Sequence, residues 1–366
     1  MVYIFATALV IAIVLSFVMT PFVRKFAILV GAVDQPNQRK VHTSLMPRLG
    51  GLAIYSAFVM TLAIMLPILV KMGVNVQFNA VFAILIGGSI IVLVGAFDDK
   101  IEISPKVKLL GQIIAACIVV FVFDLKVSFL TLPFGEAYNI NGWLSTFITL
   151  FWIVGVTNAI NLIDGLDGLA AGVSAIATAT LLVLAIMMGN VTVIILSCLL
   201  LGSILGFLYF NFHPAKIFMG DSGSLFLGFA LATLSILGFK QAAIVSFIVP
   251  LIILGVPLSD TFFAIVRRIV KKAPISMADK SHLHHCLLQV GLTHRQTVLA
   301  IYGIAITFGF SAIILSQASL WILILTAVVS ILLIMAAQKL GLIQKREKTV
   351  FRSVVNMTTQ LLGLKS

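Results

Sequence analysis

The run AVFAILIGGSIIVLVGAFDD, residues 80–99, carries no charge until it ends in Asp98 and Asp99. It is long enough to cross the hydrocarbon layer of a bilayer as a helix. Two adjacent acids then stand where the apolar run stops, at a depth where an unpaired charge is unfavourable. The rest of the chain repeats this plan. Hydrophobic residues make up 61% of the 366 and charged residues 10%, against about 25% charged in a soluble domain. Mean hydropathy is +1.19. The composition excludes an ordinary soluble enzyme and predicts an all-α, polytopic integral membrane protein.

Working outward from residues 80–97, apolar windows predict eleven transmembrane helices. They fall near 3–23, 50–70, 80–97, 107–124, 143–162, 166–188, 191–210, 222–239, 242–266, 297–316 and 319–340. Residues 1–341 then form a single transmembrane domain, and 342–366 a basic cytoplasmic tail. The first window lacks a small-residue cleavage site and is followed by Arg24 and Lys25, so it reads as a retained anchor. Pro250 and Pro257 predict a kink or break in the ninth span, opening a groove, or ordinary kinking for packing. Cys117, Cys198 and Cys286 form neither a disulfide framework nor a CxxC site.

With the N-terminus outside and the C-terminus inside, all but Lys71, Lys126 and Lys240 of the 24 Lys and Arg fall on the cytoplasmic side. The net charge of +12 is thus read as loop bias and contact with anionic membrane lipids, with no nucleic acid partner.

Five polar islands interrupt the apolar pattern. They are Asp98-Asp99, the stretch Asn158 to Gly168, Asn211-Phe212-His213-Pro214, Phe218 to Gly223, and His282-Leu283-His284-His285. They hold five of the 12 carboxylates. The orientation chosen from Lys and Arg alone puts every island on the cytoplasmic face.

Each island has a chemical and a bland reading. Side chains of Asp98 and Asp99 diverge by about 100° on a helix, so one can meet a metal and the other a second ligand or a cation; the pair can also be a solvated helix end. Asn161, Asp164 and Asp167 recur every three residues, which would stack them on one helical face. Hard oxygens at that spacing suit Mg²⁺ and substrate hydroxyls; otherwise they make an Asx-type turn. Asp221 stands at an expected helix N-cap, with Ser222, Gly223 and Ser224 offering donors to phosphate or closing a plain cap. Phe218 can stack on a base or anchor at the interface. The HxHH spacing fits no usual zinc site. Beside Lys271, Lys272 and Lys280 it suits phosphate contact or proton transfer, or a solvated loop. His42, near Arg39, Lys40 and Arg48, can also meet phosphate, and His294 reads as an ordinary surface residue.

The motifs DD, NAINLIDGLDGL, NFHPAKIFMGDSGS and HLHH, in this order and across nearly the whole chain, resemble the polyprenyl-phosphate N-acetylhexosamine-1-phosphate transferases. That resemblance implies a multi-pass enzyme of the bacterial cell membrane with a cytoplasmic active site. It would move a sugar-1-phosphate from a UDP-sugar to undecaprenyl phosphate and release UMP, using Mg²⁺ or Mn²⁺ in its place. It implies that Asp98 or Asp99 deprotonates or orients the lipid phosphate, and that Asp221 with Asn161 holds the metal. Asn158, Asp164, Asp167, Asn211 and Phe218 would face nucleotide and sugar. His282, His284 and His285 would meet phosphate, with His42 and Arg48 as further substrate contacts. The DGLDGL and HLHH motifs, with eleven spans, resemble the UDP-GlcNAc branch that starts teichoic acid or O-antigen. The UDP-MurNAc-pentapeptide branch of peptidoglycan synthesis, expected to have ten spans, is the alternative. A homodimer is compatible with the reading. A secondary transporter is the rival class, disfavoured because the acids sit at helix ends and no repeat is visible.

Overall fold

In lipid every backbone N–H and C=O must be satisfied within the chain, so the apolar runs fold as helices. The computed structural model describes residues 1–34, 45–131, 137–140, 142–239, 248–270, 282–317 and 328. Within these lie α1 (Val2–Leu29), α2 (Gly50–Lys71), α3 (Phe78–Ile101), α4 (Pro105–Cys117), α5 (Gly142–Ile163), α6 (Leu169–Met187), α7 (Val191–Asn211), α8 (Gly220–Phe239), α9 (Ile248–Ile253), α10 (Gly255–Val270), α11 (Leu283–Gln289) and α12 (His294–Gln317). A π-helical turn, Ile118–Val122, prolongs α4. Two short antiparallel hairpins complete the set: β1 (Val33–Asp34) with β2 (Met46–Pro47), and β3 (Phe129–Thr131) with β4 (Ala137–Asn139).

Among the described residues nine helices are long and apolar enough to cross a membrane. They match nine of the eleven expected spans. The ninth expected span is broken: α9 stops at Ile253 and α10 starts at Gly255. Pro257 has no N–H to offer the carbonyl of Ile253, which is why the helix cannot run through. The eleventh expected span and the basic tail lie outside the described residues, Val328 excepted.

α8 is the innermost helix, packed on α2, α3, α5, α6 and α7. Every residue from Ser222 to Gly238 is buried. α1 lies at the periphery against α7 and α2, turning Val10, Val14, Phe17 and Phe22 outward. Small residues allow close approach where lipid supplies no hydrophobic drive between helices. Gly202 and Gly206 lie against the backbone of α1. Gly95, one turn before Asp99, leaves no room for a Cβ beside the backbone of Asp221 and Ser222. That contact brings the end of α3 onto the start of α8. Several buried polar groups are satisfied within the bundle: Thr157 and Thr233 each donate to the carbonyl four residues back, and Trp152 Nε1 donates to Ser235 Oγ at 3.0 Å.

The chain entering α2 is stitched to the chain entering α8. Phe218 N–H donates to Pro47 O at 2.8 Å, Gly50 N–H to Phe218 O at 3.0 Å and Gly51 N–H to Met219 O at 2.8 Å. Two donors of the first turn of α2, which have no partner inside the helix, are thereby satisfied.

Candidate active site

Asp98 and Asp99 do diverge, and each finds a different partner. Asp99, almost fully buried, accepts the N–H of Asp221 at 2.8 Å and the N–H of Ser222 at 3.1 Å. It also accepts the Ser222 hydroxyl at 2.8 Å. It is the anion at the N-terminus of α8, where the helix dipole favours negative charge. This corrects the expectation that Asp221 caps α8 and leaves the first N–H groups to phosphate. Asp221 lies inside the first turn, and Asp99 takes those donors. Asp98 instead pairs with Lys108 Nζ at 2.9 Å, and the same ammonium contacts Asp221. Lys108 comes from the first turns of α4, whose N-terminus is set by Ser104 as N-cap with Pro105 at N1. In the sequence Lys108 stands out only as one of the charges of the cytoplasmic loops.

Asn161, on the last turn of α5, donates its amide to Asp221 at 3.1 Å and to Ser224 Oγ at 2.8 Å. One turn earlier Asn158 pairs with Gln112 of α4, donating to its Oε1 at 2.5 Å. The fully buried Gln112, which no motif in the sequence marks, thus braces α4 to α5 beside Lys108. The three residues Asn161, Asp164 and Asp167 do not stack on one helical face. α5 ends at Ile163, and Gly168 takes a left-handed φ of 76° before α6 begins, so the acids diverge along a turn. Asp164 stays near the cluster. Burial, then the charges of Asp221 and Asp99, push its carboxyl well above its ordinary value.

Asp167 turns away to a second centre. It meets His213 Nδ1 at 2.8 Å and accepts the Ala215 N–H at 3.1 Å. The His213 ring stacks on that of His294, 4.2 Å between centroids and 17° between planes. His294 is therefore part of a cluster, not an ordinary surface residue. One ligand atom from each of Asp167, His213 and His294 lies within 4.8 Å of the others. Asn211 is a brace: its Oδ1 accepts the Gly168 N–H at 3.2 Å and its Nδ2 donates to Ile217 O at 3.0 Å.

The histidine motif opens α11. His282 Nδ1 lies 2.8 Å from Oδ2 of Asp260, and Leu283 N–H donates to Oδ1 of the same carboxylate at 2.8 Å. His282 and His284 are buried, so this motif is no solvated loop. Their rings lie 5.9 Å apart and nearly parallel, while His284 and His285 are 4.2 Å apart. Burial, then the neighbouring His285, hold the His284 imidazole down to about 3. It is neutral at physiological pH in the unliganded protein. Its Nε2 edge lies against Gly165, where any Cβ would collide with it. Asp260 was missed in the sequence, although an acid inside an expected span is the kind of signal that singled out the islands. Arg48 lies 3.6 Å from Asp34 and 3.8 Å from Glu102, at the rim of the cluster. Phe218 is half-buried in the strand-like stitch described above. His42, Lys271, Lys272 and Lys280 lie outside the described residues.

Residues from α3, α4, α5, α8, α11 and the α5–α6 turn thus meet at one end of the bundle. Asp98 and Asp221 aim oxygens at one point where a cation stands, the Lys108 ammonium. Two carboxylates converging on one cation are hard-oxygen donors of the kind that Mg²⁺ takes, so these residues fit the metal. As placed, Asn161 orients Asp221 through its amide nitrogen.

A family model described as "Glycosyl transferase family 4" matches residues 81–239, which carry the islands of α3, α5 and α8. A Bacillus subtilis (strain 168) protein named probable undecaprenyl-phosphate N-acetylglucosaminyl 1-phosphate transferase is 46% identical over 344 residues, 93% of each chain. A Mycolicibacterium smegmatis protein named decaprenyl-phosphate N-acetylglucosaminephosphotransferase is 37% identical over 316 residues, 80% of this chain and 77% of that one. An Escherichia coli (strain K12) protein named undecaprenyl-phosphate alpha-N-acetylglucosaminyl 1-phosphate transferase is 30% identical over 286 residues, 76% of this chain and 75% of that one. With that identity along nearly its whole length, and with the acids of these motifs gathered at one end of a membrane bundle, the chain belongs to glycosyl transferase family 4, the polyprenyl-phosphate N-acetylhexosamine-1-phosphate transferases.

Proposed function

We propose that this chain transfers GlcNAc-1-phosphate from UDP-GlcNAc to undecaprenyl phosphate at the cytoplasmic face of a bacterial cell membrane. The products are UMP and undecaprenyl-pyrophosphoryl-GlcNAc, the first lipid-linked intermediate of a surface glycan such as teichoic acid. The names of its relatives support the reaction class. The observation that carries the reading is the Asp98–Lys108–Asp221 cluster at the ends of apolar helices, where a water-soluble pyrophosphate and a lipid phosphate can meet.

An oxygen of the lipid phosphate attacks the phosphorus bonded to the sugar. The bond to UMP breaks and its electrons leave on the UMP phosphate. One pyrophosphate is exchanged for another, so no ATP is needed, and the chain has no G-x-x-x-x-G-K-[ST] loop. Asp98 orients the acceptor, Lys108 neutralises charge that develops in the transition state, and Asp164 faces the donor. Asp98 and Asp221 would hold Mg²⁺, which when bound supplies charge neutralisation on the donor pyrophosphate. Positioning contributes the remainder, since the nucleophile is already an oxyanion.

The test is transfer by the purified full-length chain with Mg²⁺, undecaprenyl phosphate and labelled UDP-GlcNAc. We expect labelled lipid and stoichiometric UMP, both abolished by EDTA. Transfer from UDP-MurNAc-pentapeptide instead would assign the peptidoglycan branch. Transfer from neither donor would remove the proposal.

A further inference from the structure

Asp260 sits on α10, 2% exposed, within a stretch apolar enough to be expected as a span. A carboxylate there is strongly unfavourable unless fully partnered. Its partners come from one turn of chain, 22 and 23 residues onward: the imidazole Nδ1 of His282 and the N–H of Leu283, each at 2.8 Å. The carboxylate therefore ties the start of α11 to α10. It also makes a chemical choice. A carboxylate can only accept, so a neutral His282 must carry its proton on Nδ1 and present Nε2 as an acceptor.

The contact does not end at His282. That ring faces His284 at 5.9 Å, with the planes 6° apart. His284 in turn bears on Gly165, beside Asp164. Asp260 and His284 also line the same small cleft, closed by Ile163, Leu169 and Ile301. A continuous line of contacts runs from α10 to the α5–α6 turn.

We propose that Asp260 is a positioning residue, which holds His282 in the Nδ1–H tautomer and sets the His282–His284 pair against the Asp164 turn. The activity part of this proposal rests on the transferase reading above; the tautomer part does not. A purely structural role would be capping α11, and Asn caps a helix as well as Asp. Asp260→Asn keeps an oxygen for the Leu283 N–H but turns an NH₂ toward His282, which must then accept on Nδ1 and move its proton to Nε2.

The experiment is magnetic resonance of the full-length protein carrying ¹³C,¹⁵N-labelled histidine, with His282→Gln used to assign the signal, alongside steady-state kinetics with UDP-GlcNAc. We expect the Nδ1–H tautomer in the wild type and Nε2–H in Asp260→Asn. We expect kcat to fall on the order of 10²-fold or more in that variant, since the carboxylate that sets the histidine tautomer in a Ser-His-Asp triad contributes about 10⁴-fold, with KM nearly unchanged. In a His282→Gln background Asp260→Asn should add little, because the two act as one unit. A wild-type His282 protonated on Nε2 would overturn the proposal, and needs no variant at position 260. So would a loss from Asp260→Asn that adds in full to that of His282→Gln. If the wild type transfers nothing, the transferase reading fails while the tautomer result still decides the role of Asp260.

Discussion

Asp98 and Asp99 are neighbours in sequence with opposite duties, and substitution should separate them. Asp99→Asn removes the charge from the α8 N-terminus and cannot accept all three hydrogen bonds. It should lower stability by about 2 kcal/mol, the scale of a lost charged cap, seen as a lower Tm in detergent. Asp98→Asn, whose partner Lys108 keeps Asp221, should leave Tm nearly unchanged and reduce transferase kcat about 10²-fold or more. Equal effects of the two on Tm would refute the division. The buried His284 gives a pH signature. Its folded value of about 3 lies below the ordinary 6.5, so between those pH values the unfolded chain binds a proton that the folded chain does not. Stability must then fall as pH drops from 6.5 towards 3. His284→Gln should lose less Tm than the wild type between pH 7.5 and pH 5. Asp164 has the opposite sign. Its raised value means that the folded state loses stability as pH climbs above the ordinary 3.8. Asp164→Asn should therefore raise Tm at pH 7 while lowering activity, a trade common at functional sites.

Helices deliver these residues, and their contacts decide how closely. α3 and α8 touch at Gly95, where a methyl group would strike the backbone of Ser222. Gly95→Ala should therefore lower both Tm and transfer rate by spreading Asp98 from Asp221. Gly155 in α5 has open space around its Cβ position. Gly155→Ala should leave activity intact and change stability by no more than about 1 kcal/mol, in the stabilising direction. Equal loss in both variants, measured by thermal melts and the transfer assay, would show that the α3–α8 contact is not special. The break between α9 and α10 follows from two prolines visible in the sequence. The sequence does not show that α10 then presents Asp260 to the histidine motif, because the two lie 22 residues apart.

Across the whole molecule the polar islands meet at one end of the bundle, as the charge asymmetry of the loops required. We expect that end to face the cytoplasm. In a background with Cys117, Cys198 and Cys286 replaced, Lys100→Cys and Lys216→Cys should resist an impermeant maleimide in intact cells, while Lys71→Cys is labelled. The reverse pattern would invert the orientation. The sequence by itself determined the helical membrane class, the nine described helices long and apolar enough to span a membrane, and the identity of most polar residues gathered at the candidate site. Those are local properties: apolar length, loop charge, and acids placed where an unpaired charge is unfavourable. Only the tertiary structure decided the partners. Asp99 caps a helix 122 residues away, Lys108 joins two acids, Asp167 leaves the central cluster for His213, and Asp260 seizes His282. No periodicity along one chain segment encodes such pairings. They follow from how closely glycines let helices pack, and from the need of each buried charge to find a partner wherever the fold brings one.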